Sequence, residues 1–210
     1  MAKELTVDDL PLRYRTPAVW ARNVLEQPLA LLSDHAHLEK KAAVNALALL
    51  NRWPEPSPPE NWVQVLTAVA RDEVEHLALI TKLLARRGGE LERMHRNNYA
   101  GDLRQFVRVG RGQEDLLDRL AVSALIEARS CERFALLAGA TDDAELRRIY
   151  SGLWSSEAGH FRVFLNLAEQ LPEKLNVAER WSEWLDFEAE VIQRQPAGPT
   201  MHSAVGADLT

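Results

Sequence analysis

The sequence holds a single cysteine, Cys131, in 210 residues. No disulfide within the chain can form, and no Cys-x-x-Cys metal or redox module exists. No run of about 18 apolar residues occurs, so no segment reads as a membrane-spanning helix. The opening MAKELTVDDLPLRYR has no apolar signal core. Positive charge is in deficit, 25 Lys and Arg against 31 Asp and Glu for a net charge of −6, so nothing global marks a nucleic-acid binder. A reducing, cytoplasmic setting is the expectation. Strand-like alternation is missing, and Gly and Pro are scarce inside the long periodic segments. What remains is helix.

A short helix is expected over Ala18 to Glu26, ended near Pro28. A long one follows over Leu29 to Arg52, with Leu32, Ala36, Ala43, Ala46, Leu47 and Leu50 on one face. WPEPSPPE breaks the chain, because proline removes donors and blocks helical continuation. The second long helix covers Glu60 to Arg87, with Val63, Leu66, Ala70, Leu77, Ile80 and Leu84 inward, and Gly88-Gly89 stops it. A crossover spans Gly88 to Gly112. The third helix covers Gln113 to Ala138, and Thr141-Asp142-Asp143 reads as an N-cap and acidic first turn of the fourth, Asp143 to Gln170. A fifth covers Val177 to Arg194. Two helical hairpins joined by one long link describe an all-α four-helix bundle, with the additional C-terminal helix packed outside it. Residues 1–195 read as one domain, and 196–210, without any period, as a disordered tail.

The apolar faces carry polar intruders at matched places. Glu39 falls among Leu32, Ala36, Ala43 and Ala46. Glu73 and His76 lie among Leu66, Val69, Ala70, Ile80 and Leu83. Glu127 stacks with Leu120, Ala124, Cys131 and Phe134, and Glu157 and His160 with Tyr150, Leu153, Phe161 and Phe164. The order is Glu, Glu-x-x-His, long link, Glu, Glu-x-x-His. That is the ligand pattern of ferritin-like di-iron and di-manganese carboxylate proteins. Residues i and i+3 share a helix face, so one Glu and one His can hold one metal. Four carboxylates balance two divalent ions, which removes the objection to burying them. One Glu-x-x-His alone carries little weight. A third, Glu92 and His95, lies in the crossover and is set aside as coincidence.

Asp72, one turn before His76, reads as a group that orients an imidazole from behind. His35, one turn before Glu39, and Tyr150, two turns before Glu157, have weaker claims to the same position. Glu75, Glu132 and His37 read as outward-facing, and Cys131 as a small buried residue.

The crossover and its edges, Arg86 to Gly112, contain seven arginines and no lysine against Glu90, Glu92 and Asp102. Arginine forks suit phosphate. Arg93, Arg96, Arg104 and Arg108 are the candidate contacts to a nucleic-acid backbone. Tyr99 offers a stacking surface for an unpaired base. An ordinary solvated loop would have the same composition.

The stretches LLSDHAHLEKKAA, NNYAGDLRQFVR, IEARSCERFALLA and YSGLWSSEAGHF resemble the MiaE-type tRNA hydroxylases over most of Leu12 to Ala168, ARSCERF most distinctively. The resemblance implies a ferritin-like non-haem di-iron monooxygenase. Its substrate would be the isopentenyl group of 2-methylthio-N6-isopentenyladenosine beside the tRNA anticodon. It implies Glu39, Glu73, His76, Glu127, Glu157 and His160 as ligands of two iron ions, oxygen as co-substrate, and an external electron donor such as a reductase. The oxygenase pattern places an acid just before each Glu-x-x-His glutamate; Asp72 fits it and Ser156 does not. The alternatives are an iron-storage protein or a di-metal peroxidase or catalase not acting on tRNA. A radical-generating subunit is disfavoured, because Ile80 stands where its tyrosine is expected.

Overall fold

The structure, a computed structural model, describes residues 6–54, 56–96, 98–171 and 175–206. Among the described residues, seven α-helices follow a 3₁₀ turn at Val7–Asp9: α1 Val19–Leu25, α2 Pro28–Leu49, α3 Trp62–Arg86, α4 Asn98–Arg104, α5 Gln113–Ala140, α6 Ala144–Glu169 and α7 Val177–Gln193. The fold is all-α and ferritin-like. No helix among the described residues is long and apolar enough to cross a membrane.

Local chemistry sets the helix ends. Pro28 opens α2 at its first turn, where the missing N–H costs nothing. Gly88 closes α3 at φ +76°, a left-handed conformation that a Cβ would strain. Asp143 caps α6, its Oδ1 accepting from the Glu145 and Leu146 amides at 2.9 and 3.1 Å. A cap of this kind is worth about 1 kcal/mol. Trp62, fully buried, donates from Nε1 to the Leu49 carbonyl at 3.2 Å and so ties the start of α3 to the end of α2.

The hairpins pack α2 on α3 and α5 on α6, while α2 and α5 approach each other less closely. One apolar cluster gathers Trp62, Leu66, Leu120, Phe161 and Phe164. A second gathers Trp20, Leu32, Ile80, Phe134 and Leu153. The inward carboxylates lie in sequence between members of these two clusters on every bundle helix. A third cluster, with Tyr99, Leu103, Trp184 and Ile192, seats α4 and α7 against α5.

Several expectations need correction. Leu47 and Val63 are 49% and 42% exposed, each one position off the buried series of its helix. The crossover contains α4, too short at seven residues to show a period. Tail residues 196–206 are ordered where no structure was expected; 207–210 lie outside the described residues. Polar bonds to distant partners hold this segment instead of a helical period. Ser203 Oγ accepts from Trp20 Nε1 at 3.0 Å, and the Ser203 carbonyl from Arg133 Nη2 at 3.1 Å. Met201 and His202 are buried.

Glu132 and His37, expected outside, are also buried. Arg129 lies between Glu132 and Glu188, donating to Glu188 at 2.7 and 2.8 Å, and Tyr99 donates to the same carboxylate at 2.9 Å. Glu132 in turn accepts from the Thr16 amide and hydroxyl at 3.0 and 2.6 Å. The distinctive ARSCERF stretch thus supplies a buried ionic clamp that joins α5 to α7, α4 and the N-terminal segment. Cys131 is fully buried, and burial pushes its thiol up.

Candidate metal centre

Glu39, Glu73, His76, Glu127, Glu157 and His160 converge in the bundle centre. Ligand atoms of Glu39, Glu73, His76 and Glu157 lie within 4.8 Å of one another, and so do those of Glu73, Glu127, Glu157 and His160. Glu73 and Glu157 belong to both groups. Glu39, Glu73, His76 and Glu157 would hold one ion, and Glu73, Glu127, Glu157 and His160 a second.

The histidines interleave with the carboxylates. His76 Nδ1 lies 3.1 Å from Glu157 and 3.5 Å from Glu73. His160 Nδ1 lies 2.7 Å from Glu73 and 3.3 Å from Glu157. Both Glu73 oxygens, Glu157 Oε1 and His76 Nδ1 are buried without a hydrogen-bond partner of acceptable geometry. Orphaned buried acceptors of this kind fit a bound cation, and the oxygen and imidazole donor set suits iron or manganese.

The shifts within this cluster offset one another. Burial and the Glu157 charge push Glu73 up to about 8. Burial and Glu157 likewise hold Glu127 well above the carboxylate range. Burial opposes ionisation of Glu39, but His35 outweighs it and brings Glu39 down to about 2. Glu157 is also held below the carboxylate range, its burial outweighed by Glu127, His160 and His76. Burial disfavours the imidazolium ions, yet the surrounding carboxylates raise His76 to about 12 and His160 to about 10. These directions favour Glu39 and Glu157 as carboxylates, Glu73 and Glu127 as carboxylic acids, and His76 and His160 as imidazolium ions, a combination of zero net charge. Two divalent ions with four carboxylates give the same zero charge.

Around this centre, His35 Nε2 meets Glu39 Oε1 at 2.5 Å, and the His35 ring lies 5.8 Å from that of Tyr150. The Tyr150 hydroxyl is buried without a partner. Asp72 approaches His160 of α6 rather than His76 of its own helix, at 3.4 Å.

A path leads outward between α2 and α5. A small cavity of about 20 Å³ touches Glu39, Glu73, Glu127, Glu157 and, from the tail, Met201. It shares Leu38, Ala42, Ile126 and Glu127 with a larger one of about 110 Å³, whose outer rim carries Lys41, Arg104 and Arg119. Beyond it, an open depression of about 360 Å³ is lined by Lys40, Lys41, Arg52, Arg104 and Arg119, the last of these held by Asp115 at 2.5 Å.

The expected basic crossover is largely neutralised. Arg86 pairs with Glu145, Arg87 with Asp143 and Glu145, and Arg108 with Asp118 and Glu114. Tyr99 is buried, stacked on His202 at 4.3 Å, so it offers no surface to a base. Arg93, Arg96 and Arg104 stay exposed, but only Arg104 reaches the cavity mouth. Sequence reasoning missed Lys40, Lys41, Arg52 and Arg119. Lys40 and Lys41 lie on α2, Arg119 on α5 and Arg52 just past the end of α2, and no helical period singles them out.

Comparison with known proteins gives the family. Two curated relatives carry the name tRNA 2-(methylsulfanyl)-N(6)-isopentenyladenosine(37) hydroxylase. One, from Pseudomonas putida, is 35% identical over 90% of both chains. The other, from Salmonella typhimurium, is 27% identical, covering 93% of this chain and 88% of its own. A solved structure, "Protein 43 with aldehyde deformylating oxygenase activity from Synechococcus", superposes with a TM-score of 0.83 at 35% identity, covering 95% of this chain and 98% of that one. The family model for tRNA-(MS[2]IO[6]A)-hydroxylase (MiaE) matches residues 3–203, and this chain belongs to that family.

Proposed function

We propose that this protein hydroxylates the isopentenyl group of 2-methylthio-N6-isopentenyladenosine in tRNA. The observation that carries this reading is the path from a cationic depression, through an apolar cavity, to Glu127. A cavity of this order holds a small hydrocarbon. An isopentenyl chain matches it, while the cations outside match the RNA backbone. An adenosine beside the anticodon stands in a single-stranded loop, so its base can leave the stack to enter.

Glu39, Glu73, His76, Glu127, Glu157 and His160 are the residues that would hold two iron ions. When bound and reduced by an external donor, such a pair supplies oxygen activation. The chain's own residues do the rest. Leu38, Ala42 and Ile126 line the approach with hydrocarbon and keep bulk water from the carboxylates. His35 holds Glu39 in place through its short contact. Lys41 and Arg104 hold the phosphates and so aim the base inward.

Aldehyde deformylation is the second reading, favoured by the Synechococcus structure's likeness. An aldehyde gives no use to the cationic mouth. Treating isopentenylated tRNA with iron-loaded protein, reductant and oxygen decides between them. Nucleoside mass spectrometry is expected to show one added oxygen on the isopentenylated nucleoside. An unchanged nucleoside, with aldehyde consumed in a parallel assay, would reverse the choice.

A further inference from the structure

The Glu92-x-x-His95 match in the crossover is not a metal site, yet His95 is built into a polar chain that ends at the cavity mouth. His95 Nδ1 lies 2.8 Å from Lys41 Nζ, and its Nε2 lies 2.7 Å from Asp34 Oδ1. Asp34 Oδ2 accepts the Met201 amide at 2.8 Å. The His95 and Asp34 side chains are 9% and 8% exposed. His37 stacks on His95 with ring centroids 4.6 Å apart and bonds the Glu92 carbonyl, while the Glu92 amide donates to Ser33. Ser33, His37 and Lys41 recur every four residues, so one face of α2 holds this part of the crossover.

The donors fix the proton. A lysine ammonium only donates, so His95 Nδ1 accepts and Nε2 carries the hydrogen toward Asp34. We propose that Asp34 and His95 are positioning residues that hold the Lys41 ammonium at the cavity mouth, ready to grip a phosphate of the RNA. The proposal rests on the tRNA reading above. A free lysine loses rotamer freedom on binding, and one already held loses less. Met201 joins the same chain to the inner cavity, so the mouth and the inner wall share one support.

The test is binding of the iron-loaded protein to an anticodon stem-loop RNA carrying the isopentenylated adenosine. Lys41→Ala removes one charge-assisted phosphate contact and is expected to raise Kd about tenfold. The slope of log Kd against log salt should fall by about 0.7–0.9. Asp34→Asn is the sharper variant. The Met201 amide keeps the Asn oxygen, which turns the amide nitrogen toward His95 Nε2. That forces the imidazole proton onto Nδ1, where it faces Lys41. Asp34→Asn should therefore raise Kd and KM as Lys41→Ala does, with kcat at saturating RNA within about twofold. The double variant should bind no worse than Lys41→Ala alone. His95→Phe, keeping the stack on His37, should behave likewise. Iron content and thermal unfolding serve as folding controls. Additive losses, or Asp34→Asn binding like the unaltered protein, would overturn the pairing and leave the tRNA reading intact. No binding by the unaltered protein would overturn both.

Discussion

Asp72, on α3, approaches His160 of the facing helix α6, Oδ2 to Nε2 at 3.4 Å. His160 therefore has a carboxylate behind its outer nitrogen and Glu73 and Glu157 at the inner one. On α6 the equivalent position is Ser156, so the two ends of the candidate centre differ. A carboxylate behind a ligating imidazole fixes its orientation and raises its basicity.

That asymmetry gives a first prediction. Asp72→Ala should weaken metal binding about 10- to 100-fold at one of two sites, the range known for such supporting groups. Ser156→Ala should leave both sites unchanged. Metal titration followed by calorimetry resolves the two.

The shared membership of Glu73 and Glu157 predicts a difference in stoichiometry. Glu157→Ala removes a carboxylate common to both groups, and should abolish tightly bound metal and activity together. Glu39→Ala or His160→Ala removes an end residue, and should leave one ion per chain without activity. Two tightly bound ions in Glu157→Ala would sink the six-residue assignment.

Metal binding should release protons. Glu73 and Glu127 are shifted above the ordinary carboxylate range, and His76 and His160 above the ordinary imidazole range. Ligation needs all four deprotonated. Because these groups sit above their ordinary values, protons compete with the metal at neutral pH, and affinity should climb as pH rises. Titrations in buffers of different ionisation enthalpy should report several protons released per chain. A pH-independent affinity between about 6 and 8 would contradict the charge balance.

Much of the bundle was legible in the sequence because a charged residue on an apolar helix face is costly and conspicuous. Glu39, Glu73, Glu127 and Glu157 stand out for that reason. What was not legible depends on partners far along the chain. Tyr99 looked like a base-stacking ring in a basic loop, but its hydroxyl is committed to Glu188, 89 residues away. His95 looked like a chance match, since its partners Asp34 and Lys41 lie on another helix. The tail 196–206 shows no period because side-chain bonds to Trp20, Asp34 and Arg133 hold it, not a repeating ladder.

Arg104 and Arg108 make a matched comparison. Arg104 stands at the cavity mouth with no acidic partner among the described residues. Arg104→Ala should weaken stem-loop binding and lower the salt slope by about 0.7–0.9. Arg108 holds the buried Asp118 through Nε at 2.9 Å and Nη2 at 3.0 Å. Arg108→Ala should lower thermal stability and leave the salt slope unchanged, because its charge is already spent inside the protein.

The last prediction concerns the clamp encoded by ARSCERF. Arg129 is fully buried, and Glu188 of α7 accepts two of its hydrogen bonds. Glu188→Ala would leave the guanidinium sharing Glu132 with Thr16, and the Tyr99 hydroxyl without an acceptor. Removing one partner of a buried pair costs about 3–5 kcal/mol, because the remaining charge stays away from water. The helix that loses its anchor is α7, which packs on α5 beside Ala121 and Leu125. Glu188→Ala should therefore unfold at lower urea, and native protein below the transition should still bind two metal ions. Glu188→Gln, whose single amide oxygen can still accept from Tyr99 and from Arg129 Nε but which offers Arg129 Nη2 no acceptor, should recover part of the loss. Equal stability of Glu188→Ala and the unaltered protein would show that the clamp does not hold α7 in place.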